Sequence, residues 1–376
     1  MLGTVMLASL SLPGVLPKSA KAEEAPEHGV VGVKWLSYKD WQKDLDRISV
    51  SSPSLYLLLP LGARWSIEGS GVYDSVSGAT PRYHSSVSGA TTVVGMNDQR
   101  KAGDLKLMRY FDRSAFGVGM AYSTEHDYQS RSASIDGRLS TADNNTTFNF
   151  GLGASNDTVG SRNNPALNEA RRTREATLGV TQALSKNDLA QISLTYSSGK
   201  GYYSDPYKLP DARPNRRDES IALLRWNHYF EGSGAALRSS YRFYDDSFGI
   251  RAHTLDLQWV QQLGESWTVT PLLRYYSQRA ADFYYDPVYD AILGPPYPPN
   301  YLTNPPRYLS ADQRLSAFGA VTLGLKIEWN IQQTWIADVK YERYKQRGDW
   351  RIGDNGSPGL ETFNARFFQI GLRRSL

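Results

Sequence analysis

The sequence predicts an all-β fold: a transmembrane antiparallel β-barrel of about 16 strands, with short periplasmic turns and longer extracellular loops. Three observations predict it. Many segments alternate apolar and polar residues, and same-parity residues of an extended strand share a face. Pairs of aromatic residues bracket the apolar face of several segments: Trp65 and Tyr73, Phe116 and Tyr122, Trp267 and Tyr275, Trp335 and Tyr341. Six to eight residues at about 3.3 Å each, tilted by roughly 40°, span on the order of 15–20 Å along a membrane normal, close to the spacing of two interfacial aromatic girdles. Finally, short turn signals and long loop signals alternate along the chain.

Taken in order, the first element is an export signal. Leu2 to Leu16 form an apolar run, and Ala20-Lys21-Ala22 offers a small-x-small cleavage site before Glu23, although no basic n-region precedes the run. Residues 1–22 therefore read as a signal peptide and 23–376 as one barrel domain. Removing Lys18 and Lys21 takes the formal charge from +4 to +2, too near neutral to suggest a nucleic-acid partner. A mean hydropathy of -0.48 argues against a helical membrane protein, whereas a barrel presents only every second residue to lipid.

Strands are expected at about 29–39, 47–59, 63–74, 101–111, 115–125, 132–142, 146–156 and 173–184. The remaining eight fall at about 189–198, 218–230, 235–244, 251–263, 267–279, 312–329, 334–345 and 363–376. Pro53 interrupts the second. The main external loops are 75–100, 156–172, 198–217, 280–311 and 346–362. An even strand count puts both termini on the periplasmic side.

The faces follow from parity. In the fourteenth strand Leu315, Val321, Leu323, Leu325 and Ile327 oppose Lys326 and Glu328. A charge in a lipid-facing band costs ~2–4 kcal/mol at mid-depth, so the charged face is the lumen. Its expected lining is Arg64, Arg138, Arg238, Arg242, Arg274, Lys326 and Lys340, facing Glu68, Asp136, Glu175, Asp256, Glu328, Asp338 and Glu342. The signs nearly balance, which predicts a weakly selective hydrated pore or a salt-bridged, partly closed lumen. The periplasmic girdle is read as Trp65, Phe116, Trp259, Trp267, Trp329 and Trp335, the outer one as Tyr73, Tyr122 and Tyr275, with Tyr341 on the same ruler. At the C-terminus, Phe368, Ile370, Leu372 and Leu376 share a face and resemble the signal read by barrel assembly machinery.

The segment Tyr73-Asp-Ser-Val-Ser-Gly-Ala-Thr-Pro81 is echoed by Val87-Ser-Gly-Ala-Thr91. With Asp46-Arg-Ile-Ser-Val-Ser-Ser-Pro-Ser-Leu-Tyr56, Leu105-Lys-Leu-Met-Arg-Tyr-Phe111 and Tyr128-Gln-Ser-Arg131, it resembles the domain of unknown function 3570 family. These are predicted outer-membrane proteins of Gram-negative bacteria. The resemblance implies that location and no reaction.

Little points to catalysis. With no cysteine, thiolate metal sites, cysteine nucleophiles and cysteine-held haem or iron–sulfur groups are excluded. No cofactor or metal is expected: the five histidines show no metal-pair spacing, and Asp354-Asn-Gly356 lacks further ligands. Ser77 and Ser88 lack a Gly-x-Ser-x-Gly frame and read as turn residues. Asp245-Asp246 resembles the paired carboxylates of outer-membrane proteases, but a pair in a tight loop more often caps a turn.

The 280–311 loop sets Tyr284, Tyr285, Tyr289, Tyr297, Tyr301 and Tyr308 among seven prolines. It reads as a pore constriction, a docking loop or a rim cap, since prolines lower the entropy of the free loop and tyrosines give rigid contact area. The basic loops 156–172 and 198–217 carry Arg162, Arg171, Arg172, Lys200, Lys208, Arg213, Arg216 and Arg217, suited to lipopolysaccharide phosphates or to bulk water. The expected function is a porin-like passive channel or transport component. The alternative is a non-channel scaffold or receptor holding a partner, and a rim hydrolase comes third.

Overall fold

The computed structural model describes residues 23–43, 45–79, 95–208, 210–332 and 334–376. The expected leader, 1–22, and the Ser88 motif lie outside the described residues. The strands are β1 (Val30–Gln42), β2 (Leu45–Pro60), β3 (Trp65–Ala79), β4 (Gly95–Phe111), β5 (Ser114–Thr124), β6 (Tyr128–Ser140), β7 (Thr146–Val159), β8 (Glu169–Ala183) and β9 (Asp188–Gly201). They continue as β10 (Asp211–Ala212), β11 (Arg216–Phe230), β12 (Ala235–Asp246), β13 (Arg251–Leu263), β14 (Trp267–Gln278), β15 (Leu309–Ser310), β16 (Phe318–Gln332), β17 (Trp335–Arg347) and β18 (Phe363–Ser375).

Sixteen of these close into one antiparallel barrel, each paired with its chain neighbours and β1 sealed against β18. The other two, β10 and β15, form a separate two-stranded sheet. The period-2 pattern forces this arrangement. Closure leaves no strand edge, so every wall strand finds ladder partners on both sides.

Alternation sorts the side chains. Val118, Met120, Leu152, Leu178, Leu194, Leu323 and Val339 project outward and are exposed, which builds a continuous apolar band. Residues of the opposite parity on the barrel strands, such as Lys106, Asp136, Asp256, Arg274 and Lys326, line the interior.

Several boundaries differ from expectation. β3 and β4 run into the predicted 75–100 loop, and β6 begins at Tyr128 rather than 132. The wall outlasts the apolar band here, and where both faces are polar the alternation carries no signal. The fourteenth barrel strand starts at Phe318, not 312: residues Gln313–Leu315 form a 3-10 turn. Leu315 is thus no lipid-facing residue but is buried with Tyr203, Phe248, Ile250 and Ala281.

Prolines interrupt two seams. Pairing of β2 with β3 lapses between Ser51 and Ser54, around Pro53, and pairing of β13 with β14 lapses between Gln258 and Gln261, opposite Pro271. Proline has no N–H to give the ladder. Both prolines point outward and both stay within their strands.

Candidate functional site

The site is the lumen and its two mouths. At the short-turn end, residues 23–28 pack against the opening. Arg138 donates from Nε to both carboxylate oxygens of Glu23, at 2.8 and 2.9 Å. The Glu23 and Ala25 N–H groups donate to the carbonyls of Asp112 and Ala63, and Ala25 is buried against Met108, Tyr110 and Ala115.

Above this the wall is charged and wet. Lys106 meets Asp136, Arg274 meets Asp256 and Lys326 meets Glu328, each at 2.8 Å, and Lys340 meets Glu342 at 3.0 Å. Glu68 accepts from the Tyr56 hydroxyl at 3.0 Å, and Asp104 accepts from Ser70. Asp338 is buried in the wall and Glu175 projects inward from β8.

Arg64 lies in the tight turn before β3, where its carbonyl accepts from the Tyr110 N–H, and its side chain is exposed.

One wall stands out. Arg225 and Arg242 project inward from β11 and β12 on neighbouring rungs, and Arg238 sits one rung below, opposite Asn227. Arg225 donates to Gln191 at 3.2 Å and Arg242 lies over the Tyr244 ring. Among the described residues none of the three has a carboxylate within 4.0 Å. Glu68 and Asp104, on β3 and β4, stand half a circuit of the barrel away.

The outer mouth is organised differently. The segments 202–215 and 309–317 fold inward and meet through β10 and β15. At their centre Asp312 is fully buried. It accepts from Arg314 Nε at 2.8 and 2.9 Å and lies 2.8 Å from Lys208 and 3.0 Å from Arg213. Asp211 takes Arg213, and Asp205 takes Arg314 at 2.7 Å. Burial by itself would raise the Asp312 carboxyl, but Arg314, Lys208 and Arg213 hold it well below the usual carboxylate range.

This cluster spans the opening. Gln313 lies against Gln42 and Arg47 on β1 and β2. Tyr207 donates to Asp127, between β5 and β6, and Arg171 on β8 covers the Tyr203 ring. Arg213 leads into β11, diametrically across the barrel from β2.

Lys208, Arg213, Arg171 and Arg217, read from sequence as loop charges open to an outer ligand, are therefore turned inward and paired. The signals that mark this core are two Asp-x-Arg triplets, Asp211-Ala-Arg213 and Asp312-Gln-Arg314, in proline-rich loops. Spacing alone does not reveal that they meet.

The 280–311 tyrosines divide. Tyr284 packs against the Phe248 cluster, and burial raises its hydroxyl above the ordinary tyrosine range. Tyr285 donates to the Pro296 carbonyl, Tyr297 packs at a tilt against Tyr301 with ring centroids 5.0 Å apart, and Tyr308 lies under Arg307. Tyr289 is likewise engaged. The tip between them is exposed, with Ile292 86% accessible. Asp245 and Asp246 point to opposite faces: Asp245 takes Arg251, while Asp246 takes Arg217 and the N–H groups of Phe248 and Ile250, a turn cap.

The girdle residues lie outward. Trp267 and Trp329 stack at 5.5 Å, Phe230 packs on Trp259, and Phe116 on Phe111. Arg109 covers Trp65 and Arg374 covers Trp335. Tyr73, Tyr122 and Tyr341 are exposed, and the Tyr275 hydroxyl donates to the Trp350 carbonyl.

The sequence profile described as "Protein of unknown function (DUF3570)" matches residues 2–168 and 161–367. The chain belongs to the DUF3570 family. No curated protein sequence matches it. Among solved structures, this DUF3570 barrel is similar to a bacterial polysaccharide outer membrane secretin (8% identity, 93% of this chain and 98% of that one, TM-score 0.51). It is also similar to CdiB from Acinetobacter baumannii (9% identity, 91% of this chain and 60% of that one, TM-score 0.52). The siderophore receptor PirA from Pseudomonas aeruginosa matches at 11% identity over 94% of this chain and 81% of that one, TM-score 0.45. The likeness is one of fold, that of an outer-membrane barrel.

Proposed function

We propose that this chain resides in the outer membrane of a Gram-negative bacterium and acts there as a passive channel or transport component with a narrowed outer mouth. One contrast carries the reading. On the wall, Lys106 and Asp136 keep 33% and 34% of their side chains in water, whereas at the mouth Lys208 and Asp312 keep 3% and 0%. A lumen kept for packing alone has no use for a hydrated charged wall. The Arg225, Arg238 and Arg242 wall favours anionic solutes. The narrowing is made by segments 202–215 and 309–317 together with Tyr284, and the other loop tyrosines shape the external tip.

The remaining expectations join this reading. The run before Glu23 supports export by a cleaved leader, and the apolar face of β18 supports handling by barrel assembly machinery. The experiment is conductance of the purified, folded chain in planar bilayers. Discrete steps that enlarge in Asp312→Ala, which breaks the charge cluster of the mouth, are expected. Bilayers that stay silent with both proteins would overturn the channel and favour a scaffold or receptor, a reading whose own support is the charge-locked mouth.

A further inference from the structure

The basic residues of the loop regions fall into two populations. Arg171, Lys208, Arg213 and Arg217 turn inward to carboxylates. Arg172, Lys200 and Arg216 share the outward parity of Leu178, Leu194 and Leu224. Register aligns them. Arg131 stands opposite Asn156, Asn156 opposite Arg172, Arg172 opposite Lys200, and Lys200 opposite Arg216. This is one exposed row across β6, β7, β8, β9 and β11 at the long-loop end. With strands about 4.8 Å apart, it runs on the order of 20 Å.

Arg174 lies in the next outward row toward mid-barrel. Arg216 is held by Asp218 at 2.8 Å and Arg131 donates to Gln129 at 3.2 Å. Among the described residues Arg172, Arg174 and Lys200 have no carboxylate within 4.0 Å. Like charges directly opposite destabilise a sheet, and Arg172 faces Lys200. Among the described residues no carboxylate within 4.0 Å of either side chain offsets that repulsion.

What lies beneath the row limits the ligand. Two rows further toward mid-barrel stand Ile135, Leu152, Ala176 and Tyr196, and then Gly137, Phe150, Leu178 and Leu194. A cationic row above an apolar wall matches an amphiphile with an anionic head and acyl chains. A free anion would use the row and ignore the wall.

We propose that the outward face of β6 to β11 binds a phosphorylated glycolipid of the outer leaflet, with its phosphates on Arg131, Arg172, Lys200 and Arg216 and its acyl chains on the apolar rows below. The proposal rests on outer-membrane residence but not on conduction, so silent bilayers leave it intact.

Native mass spectrometry of the full detergent-folded chain, titrated with diphosphoryl lipid A, tests it. In the triple variant Arg131→Gln, Arg172→Gln, Lys200→Gln, apparent affinity falls about tenfold or more. Arg366→Gln, outward on β18 across the barrel, binds as wild type does. Lipid A stripped of its phosphates binds wild type as weakly as diphosphoryl lipid A binds the triple variant. Heat-modifiable gel mobility shows that each variant is folded. Wild-type affinity in the triple variant, equal binding of dephosphorylated lipid, or inorganic pyrophosphate binding wild type as tightly as lipid A would each overturn the proposal.

Discussion

The outer mouth and the lumen wall use the same chemistry, carboxylates against lysine and arginine, in opposite surroundings. On the wall, Lys106 and Asp136 each keep about a third of their side chain in water. At the mouth, Lys208, Arg213 and Asp312 keep 5% or less. A hydrated pair contributes little, because water screens it and holding it still costs side-chain entropy. A buried cluster is fragile in a specific way: removing one member strands the others without solvent. The contrast teaches that ion pairs hold the mouth in one arrangement and leave the wall adjustable.

The largest expected effect is Asp312→Ala. It leaves two buried cations, Lys208 and Arg213, without their central carboxylate and destabilises the closed mouth on the order of 3–5 kcal/mol. The barrel stays heat-modifiable while trypsin gains access to segments 202–215 and 309–317. An unchanged digestion pattern would show that the cluster does not hold the mouth.

Acid should do the same by degrees. The Asp312 carboxyl is depressed in the folded state. Its contribution is therefore fully present above the unfolded carboxylate value of about 3.9 and is lost as pH falls through the lower folded value. Proteolysis of the mouth should stay flat from pH 8 to about 4 and rise only below. A rise between pH 7 and 5 would place control elsewhere.

On the wall, effects move from stability to selectivity. Replacing Arg225, Arg238 and Arg242 with Gln removes the unpaired positive face. The reversal potential in a salt gradient should shift toward cations, with barrel stability unchanged. A variant with the wild-type reversal potential would mean that another part of the lumen sets preference. The smallest effect is Lys106→Met, which should change stability by less than ~1 kcal/mol. A loss comparable to that of Asp312→Ala would erase the distinction between the two regions.

Legibility in the sequence follows the same division. All 16 barrel strands were readable because lipid on one side and water on the other impose a strict two-residue period. The mouth was not. Leu315 looks like part of a strand, yet its apolar side chain serves a plug assembled from segments about a hundred residues apart. The row from Arg131 to Arg216 depends on the register of five strands, which no single segment encodes.

The two proline seams carry a last consequence. A closed barrel in lipid has nowhere to hide a backbone carbonyl that has lost its donor. Around Pro53 and Pro271 such positions lie within the wall itself. Local opening there breaks fewer ladder bonds than along an uninterrupted stretch of the same seam. Amide hydrogens flanking the β2–β3 and β13–β14 gaps should therefore exchange with deuterated solvent first. The barrel would breathe at two fixed joints that divide it into a ten-strand arc and a six-strand arc, the shorter one holding the β1–β18 closure.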